Sequence, residues 1–150
     1  MAMLGERADP YRAYNFRIRV DGLEVGGFQE VSGLQSEIEV YEYQEGGLNT
    51  YVHRLPGPAR YPSNLILKRG LTDQQELWVW YQSIIFRRGP ILRRNGSIIL
   101  LNDAGEEARG WNFFQAYPVR WLGPQFNAQN QTVAFESLEL VHNGLLAQPG

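Results

Sequence analysis

Apolar and polar residues alternate with period two along much of this chain, and that alternation predicts β-strands. Tyr14 to Val20 sets Phe16, Ile18 and Val20 against Arg17 and Arg19. Asp21-Gly22 is a tight-turn dipeptide, and Leu23 to Val25 reads as the returning strand. Gly26-Gly27 interrupts it, Phe28 to Val31 resumes it, and Ser32-Gly33 breaks it again. Leu34 to Tyr43 reads as a long strand with Leu34, Ile38 and Val40 on one face. Gln35, Glu37, Glu39, Tyr41 and Tyr43 occupy the other. Further strands are predicted at Leu65–Leu67, Ser97–Leu101, Glu107–Ala116 and Val119–Leu122, the last two flanking Tyr117-Pro118. Thr132 to His142 closes the series. Its apolar positions shift from odd (Val133, Phe135) to even (Leu138, Leu140), which predicts a β-bulge.

One segment follows the helical period instead. Thr72 and Gln75 make a capping-box pattern, with Asp73 and Glu76 in the first turn. Leu77, Tyr81, Ile84 and Ile85 then share a face, with Trp80 beside them, and Gly89-Pro90 stops the helix. A helix is expected over Asp73–Phe86 with these five residues as its core stripe. The remaining long segment, Gln44 to Pro62, fits neither period. It contains Gly46, Gly47, Pro56, Pro58 and Pro62, yet also Tyr51, Val52, Leu55 and Tyr61. Connections of this length are uncommon in compact domains, and this apolar content argues against disorder. The segment reads as a contact arm. The expected fold is therefore mainly β, one domain over 1–150 with a single side-packed helix and a short N-terminal extension over 1–10.

Composition narrows the functions available. The 150 residues suffice for one core, and 43% hydrophobic with 20% charged residues is ordinary for a globular chain. No apolar run approaches the ~20 residues of a membrane helix, and Met1–Pro10 lacks the apolar stretch of a secretory leader. The absence of cysteine removes disulfides and thiolate chemistry. A net charge of -2 offers no footprint for nucleic acid.

Catalytic constellations are missing from the pattern. His53 and His142 are the only histidines, and surface positions are the commoner fate for both. No serine sits in a Gly-x-Ser-x-Gly elbow, and Gly46-Gly47 is not followed by a phosphate-loop lysine. Glu106-Glu107 and the Glu136/Glu139 pair read as solvated faces rather than acid–base pairs. Arg87-Arg88 and Arg93-Arg94 lack the interleaved aromatics of a single-strand binder, so interface or solvent is the better reading. Trp78, Trp80 and Trp111 could form a sugar platform but are more often core or interface. Aromatics at 13% exceed what one small interior needs, which points to protein–protein contact. No catalytic, cofactor or metal residue is assigned, and no activity is expected.

An ordered set of short motifs goes further. Asn15-Phe16-Arg17-Ile18-Arg19-Val20-Asp21-Gly22, Val31-Ser32-Gly33-Leu34 and Tyr43 with Glu45-Gly46-Gly47 and Asn49 come first. Leu55-Pro56-Gly57, Leu67-Lys68-Arg69-Gly70-Leu71-Thr72, Arg94-Asn95-Gly96-Ser97, Trp111-Asn112-Phe113, Ala116-Tyr117-Pro118 and Glu136-Ser137-Leu138-Glu139-Leu140 follow. Together they resemble the phage tail tube family, across about Pro10 to Leu145. The resemblance implies a small β-barrel or sandwich that forms hexameric rings, stacked into the inner tube of a contractile phage tail or phage-like injection system. The implied partners are a sheath outside, a spike and baseplate at the tip, and cargo effector or DNA in the lumen, with no membrane anchor. Assembly in the bacterial cytoplasm is implied, followed by use in a virion tail or a released extracellular particle. Within this reading Gly46, Gly47, Tyr51, Val52, Leu55, Pro56 and Tyr61 form an arm joining one ring to the next, and Glu37 and Glu39 are candidates for the lumen wall. Two alternatives stand beside it: a tube-initiator ring above the spike, and, from another class, a monomeric β-barrel that binds a ligand.

Overall fold

The computed structural model describes residues 16–44, 46, 51–124 and 134–148. Tyr14, Asn15, Glu45, Gly47, Asn49, Thr132 and Val133, used in the readings above, lie outside these residues, as does the extension over 1–10.

Strand β1 (Phe16–Val20) buries Ile18 and Val20 as its alternation requires. The outward Arg17 donates to Glu107 Oε2 at 3.3 Å, and Arg19 reaches the same carboxylate. β2 (Leu23–Phe28) runs through Gly26-Gly27 rather than stopping there. The pairing register with β1 slips between Arg17 and Arg19, so the glycines sit at an irregularity in one strand. β3 (Glu30–Ser32) pairs with β6 (Leu65–Gly70), and β6 pairs with β9 (Phe135–Val141). β1 also pairs with β7 (Arg94–Leu101), which pairs with β8 (Glu107–Leu122). β10 (Gly144–Ala147) lies along the first half of β8. The path is β2-β1-β7-β8-β9-β6-β3. Because β3 follows β2 after Gln29 alone, and Gln29 N–H donates to the Lys68 carbonyl on β6, the path returns to its start as a barrel-like sandwich.

β8 is one strand, not the two expected around Tyr117-Pro118. It pairs with β7 and β10 through its first half and with β9 through its second. Registers slip between Arg94 and Gly96 and between Pro118 and Arg120. Gln115 takes φ 57° at the transition, and its N–H donates to Asn95 Oδ1 at 2.9 Å. The strand thus bends without ending. Pro118, which has no N–H to donate, is accommodated beside the second irregularity.

The core joins Ile18, Val20, Val25, Phe28, Leu65, Leu67, Ile98, Phe113, Ala116, Leu138 and Leu140 to the helix residues Leu77 and Trp80. Helix α1 (Glu76–Ile85) packs on β8 and touches β2. It begins three residues later than the capping pattern suggests. Thr72 Oγ1 accepts from the Gln74 N–H at 3.2 Å in a local turn, and Gln75, at the N-cap, makes no side-chain cap. Tyr81 packs against the core and Ile84 is half-buried, but Ile85 is exposed at 48%. At about 100° per residue, Ile85 lies roughly 110° from the midpoint of Leu77 and Trp80, outside the buried stripe.

β9 carries no bulge. Its register with β6 is regular from Leu65↔Leu140 to Gly70↔Phe135. The even face is inward throughout, and Glu136 takes the place where an apolar residue was expected. Its Oε1 accepts from Arg69 Nε at 3.0 Å and its Oε2 from Trp121 Nε1 at 3.2 Å. Arg69 also pairs with Glu76 at the start of α1 and lies against the Phe28 ring. Glu136 is therefore not on a solvated face. It ties sheet to helix through a buried cation.

Candidate assembly surface

β4 (Glu37–Tyr43) and β5 (His53–Arg60) form a separate two-stranded sheet. The connection read over Gln44–Pro62 thus contains a strand, His53–Arg60. Pro56 and Pro58 lie within β5, which an edge strand tolerates because its outer side needs no donor.

The root of this hairpin is fastened to the barrel. Gly33 takes φ 92° as the chain leaves β3, and a Cβ there would strike the Asn64 carbonyl oxygen. Only glycine lets the outgoing leg pass the returning leg so closely. Ser63 Oγ donates to Gln35 Oε1 at 2.6 Å, joining the legs, and Asn64 Nδ2 donates to Glu139 Oε2 on β9 at 2.7 Å. The Tyr61 ring meets His142 edge-on, with centroids 5.4 Å apart. His142 is buried at the β9–β10 junction, not at the surface as its sequence position suggested. Desolvation lowers its pKa from the usual 6.5, against a smaller opposing effect of the Gly144 and Ser63 backbone.

Beyond the root the hairpin is exposed on both faces. Tyr41↔Leu55 and Tyr43↔His53 define one face, where His53 also meets Tyr43 and, at 4.8 Å between centroids, Tyr51. Ile38↔Ala59, Val40↔Pro56 and Glu42↔Arg54 define the other. Ile38 is 59% exposed and Val40 55%, while Tyr41, Tyr43 and Leu55 are each 50% exposed. A two-stranded sheet alone is marginal in water, and exposed apolar faces of this kind mark contact surfaces.

The arm residues named from sequence separate in consequence. Gly46, Tyr51, Val52, Leu55 and Pro56 belong to the exposed hairpin. Tyr61 is half-buried in the root, so it anchors the arm rather than forming its docking face. Glu37 and Glu39 stand on the arm and not on a barrel strand, and Arg60 lies 3.9 Å from Glu39. Ile38 and Val40, placed from sequence only on one face of a long strand, are the residues missed. Their neighbours Tyr41 and Tyr43 on the opposite face were the available signal that neither side is plainly solvated.

Among the described residues no group of three or more His, Asp or Glu is placed to hold a metal. The tryptophans do not converge on a platform: Trp80 is buried in the core, and Trp111 lies under Arg109. Trp78 instead meets Trp121, 4.8 Å between centroids. No helix among the described residues is long and apolar enough to cross a membrane.

A barrel with an exposed, firmly rooted hairpin arm is the build of a self-assembling structural subunit. The chain matches the T4-like virus tail tube protein gp19 family over residues 12–146, and it belongs to that family. It is a structural tube subunit. Among solved structures, a chain in the sheath-tube complex of the PVC extracellular contractile injection system, in the extended state, is 27% identical with TM-score 0.74, covering 99% of both chains. A chain in the sheath/tube terminator of the same system is 29% identical with TM-score 0.74, over 94% of this chain and 98% of that one. A chain in the baseplate of the anti-feeding prophage is 25% identical with TM-score 0.72, over 94% and 97%. Hcp1 from Flavobacterium johnsoniae shares the fold at 15% identity and TM-score 0.54, over 91% and 97%. No curated protein sequence matches.

Proposed function

We propose that this chain forms hexameric rings that stack into the inner tube of a contractile injection particle, with the β4–β5 arm joining one ring to the next. The observation that carries the reading is the exposed two-faced arm on a chain that belongs to a tail tube family along nearly its whole length. Ring closure would cover the open sheet edges, and cyclic symmetry would fix the copy number. A sheath outside and a baseplate at one end are the proposed partners, because the similar chains come from sheath-tube and baseplate structures. The lumen would pass cargo, and the subunit would have no catalytic role. Assembly would occur in the bacterial cytoplasm before release of the particle.

Electron microscopy of the purified protein tests this directly: stacked six-fold rings are expected, and a persistent monomer would refute it. Replacing residues 37–60 by a short Gly-Ser link separates arm from barrel. That variant should fold and fail to elongate. Long tubes without the arm would show that another element stacks the rings. The similarity to a baseplate chain also supports an initiator ring. A stained gel of purified particles distinguishes the two, since a tube subunit is abundant and an initiator is present as a single ring.

A further inference from the structure

The root of the arm is held by close contacts, and one of them contains a group that changes charge in mild acid. Gly33 packs on Asn64, Ser63 donates to Gln35, Asn64 donates to Glu139, and the Tyr61 ring meets His142. His142 is only 8% exposed, and neither ring nitrogen has a hydrogen-bond partner among the described residues. The Gly144 and Ser63 backbone, close enough to favour the charged form weakly, meets neither nitrogen in good hydrogen-bond geometry. Buried polar groups are almost always bonded, so two such nitrogens in one ring require an explanation.

The surroundings offer a proton on His142 no compensation. The ring continues the even face of β9 after Leu138 and Leu140, and Leu65 of β6 pairs with Leu140. The arm root brings the Tyr61 phenol. β10 brings Gly144, with the Phe114 ring of β8 beside it. No ion pair among the described residues includes His142. Charged groups on the same elements are engaged elsewhere. Glu139, on the odd face of β9, accepts from Asn64; Arg93 lies over Tyr117, the β8 partner of Val141; Arg60 lies 3.9 Å from Glu39. The other histidine, His53, stands out on the arm against Tyr43 and Tyr51. An imidazolium at position 142 is thus desolvated and without an acceptor, which is costly. Burial accordingly holds the pKa of this ring below the usual 6.5. Relief for the charged ring is water, and Tyr61 is the cover over it.

We propose that His142 is an acid-operated latch on the arm: once protonated, its ring turns to water, Tyr61 parts from the β9–β10 junction, and the arm loosens from the barrel. The latch is closed above pH 6.5 and opens as pH falls from there toward the folded pKa. Rings joined through the arm then come apart. That last step rests on the tube reading and adds its regulation; the latch itself does not depend on it.

Hydrogen exchange of the unassembled subunit, read by mass spectrometry and corrected for the intrinsic rate, tests the latch. From about pH 7.5 to about pH 5.5, protection over residues 53–64 should fall by up to about tenfold per pH unit in the wild type. His142→Gln, neutral throughout, should hold its protection constant, with His142→Phe as a second neutral variant should glutamine disturb the fold. Glu139→Gln should respond as the wild type does. Unchanged protection in the wild type would overturn the proposal. So would a wild-type response in both neutral variants, or loss of the response in Glu139→Gln, which would assign it to that carboxylate. Pelleting reads the consequence: at about pH 5.5 wild-type tubes should pass to the supernatant and His142→Gln tubes should still pellet. Tubes that persist in acid with the arm unprotected would overturn the disassembly step. If no tubes form at any pH while exchange shows the latch, the tube reading fails and the latch stands.

Discussion

β6 and β4 are both short strands with alternating apolar residues, and they meet opposite fates. In Leu65-Ile-Leu67-Lys-Arg69-Gly70 one face is buried completely, because β3 and β9 flank it, β2 packs nearby and Glu76 of α1 reaches Arg69. In Glu37-Ile38-Glu-Val40-Tyr-Glu-Tyr43 neither face is buried, because among the described residues β4 has only β5 beside it. The apolar residues of the barrel lower its own free energy. Those of the arm have nothing among the described residues to lose water against, so under the proposed function their gain comes from assembly. Substitutions should therefore separate into those that melt the subunit and those that leave it folded but alone.

The largest expected effect is in the barrel's buried ion cluster. Glu136→Leu leaves Arg69 charged, buried and short of a partner, and should cost about 3–5 kcal/mol. For a chain of this size that lowers the melting temperature by roughly 2–4 °C per kcal/mol. A melt within a degree of wild type would show that the cluster is not what holds α1 to the sheet. Next comes the helix stripe. Leu77→Ala removes a side chain with no exposure and should cost about 2–5 kcal/mol, whereas Ile85→Ala should fall within about 0.5 kcal/mol. Equal losses at the two positions would contradict the observed stripe.

A smaller effect connects the two regions through His142, which sits against Tyr61 at the arm's root. Its folded pKa is below 6.5, so below that pH the unfolded chain binds the proton more readily than the folded one. Its contribution is therefore whole above pH 6.5 and is lost as pH falls from there toward the folded pKa. The slope is at most about 1.4 kcal/mol per pH unit. His142→Gln should flatten that part of the stability curve, and an unchanged slope would assign the pH dependence to other groups. The smallest effect on stability is at the arm. Val40→Asp should shift the unfolding free energy by less than about 0.5 kcal/mol, measured by denaturant titration. The same protein should no longer pellet as tubes. A strongly destabilised Val40→Asp subunit would mean that the arm is part of the folding core, and the contrast between the regions would collapse.

Period-two alternation located most barrel strands, the helical stripe located α1, and the surplus of apolar residues around Gly46, Tyr51, Val52 and Leu55 marked the arm. Those signals are local, since they depend on which residues follow one another at a fixed spacing. The tertiary structure decided the rest. Glu136 looked like a slip in the alternation because nothing nearby in sequence announces Arg69, 67 positions away. His142 looked exposed because its cover, Tyr61, comes from the root of the arm, remote in sequence. Ile85 kept the helical period but lay beyond the width of the strands beneath. Ile38 and Val40 formed a proper strand face, yet among the described residues no second layer stands over it. Spacing along the chain determines which side chains share a face. Whether that face is buried depends on elements distant in sequence, and for the arm none of the described residues supplies one.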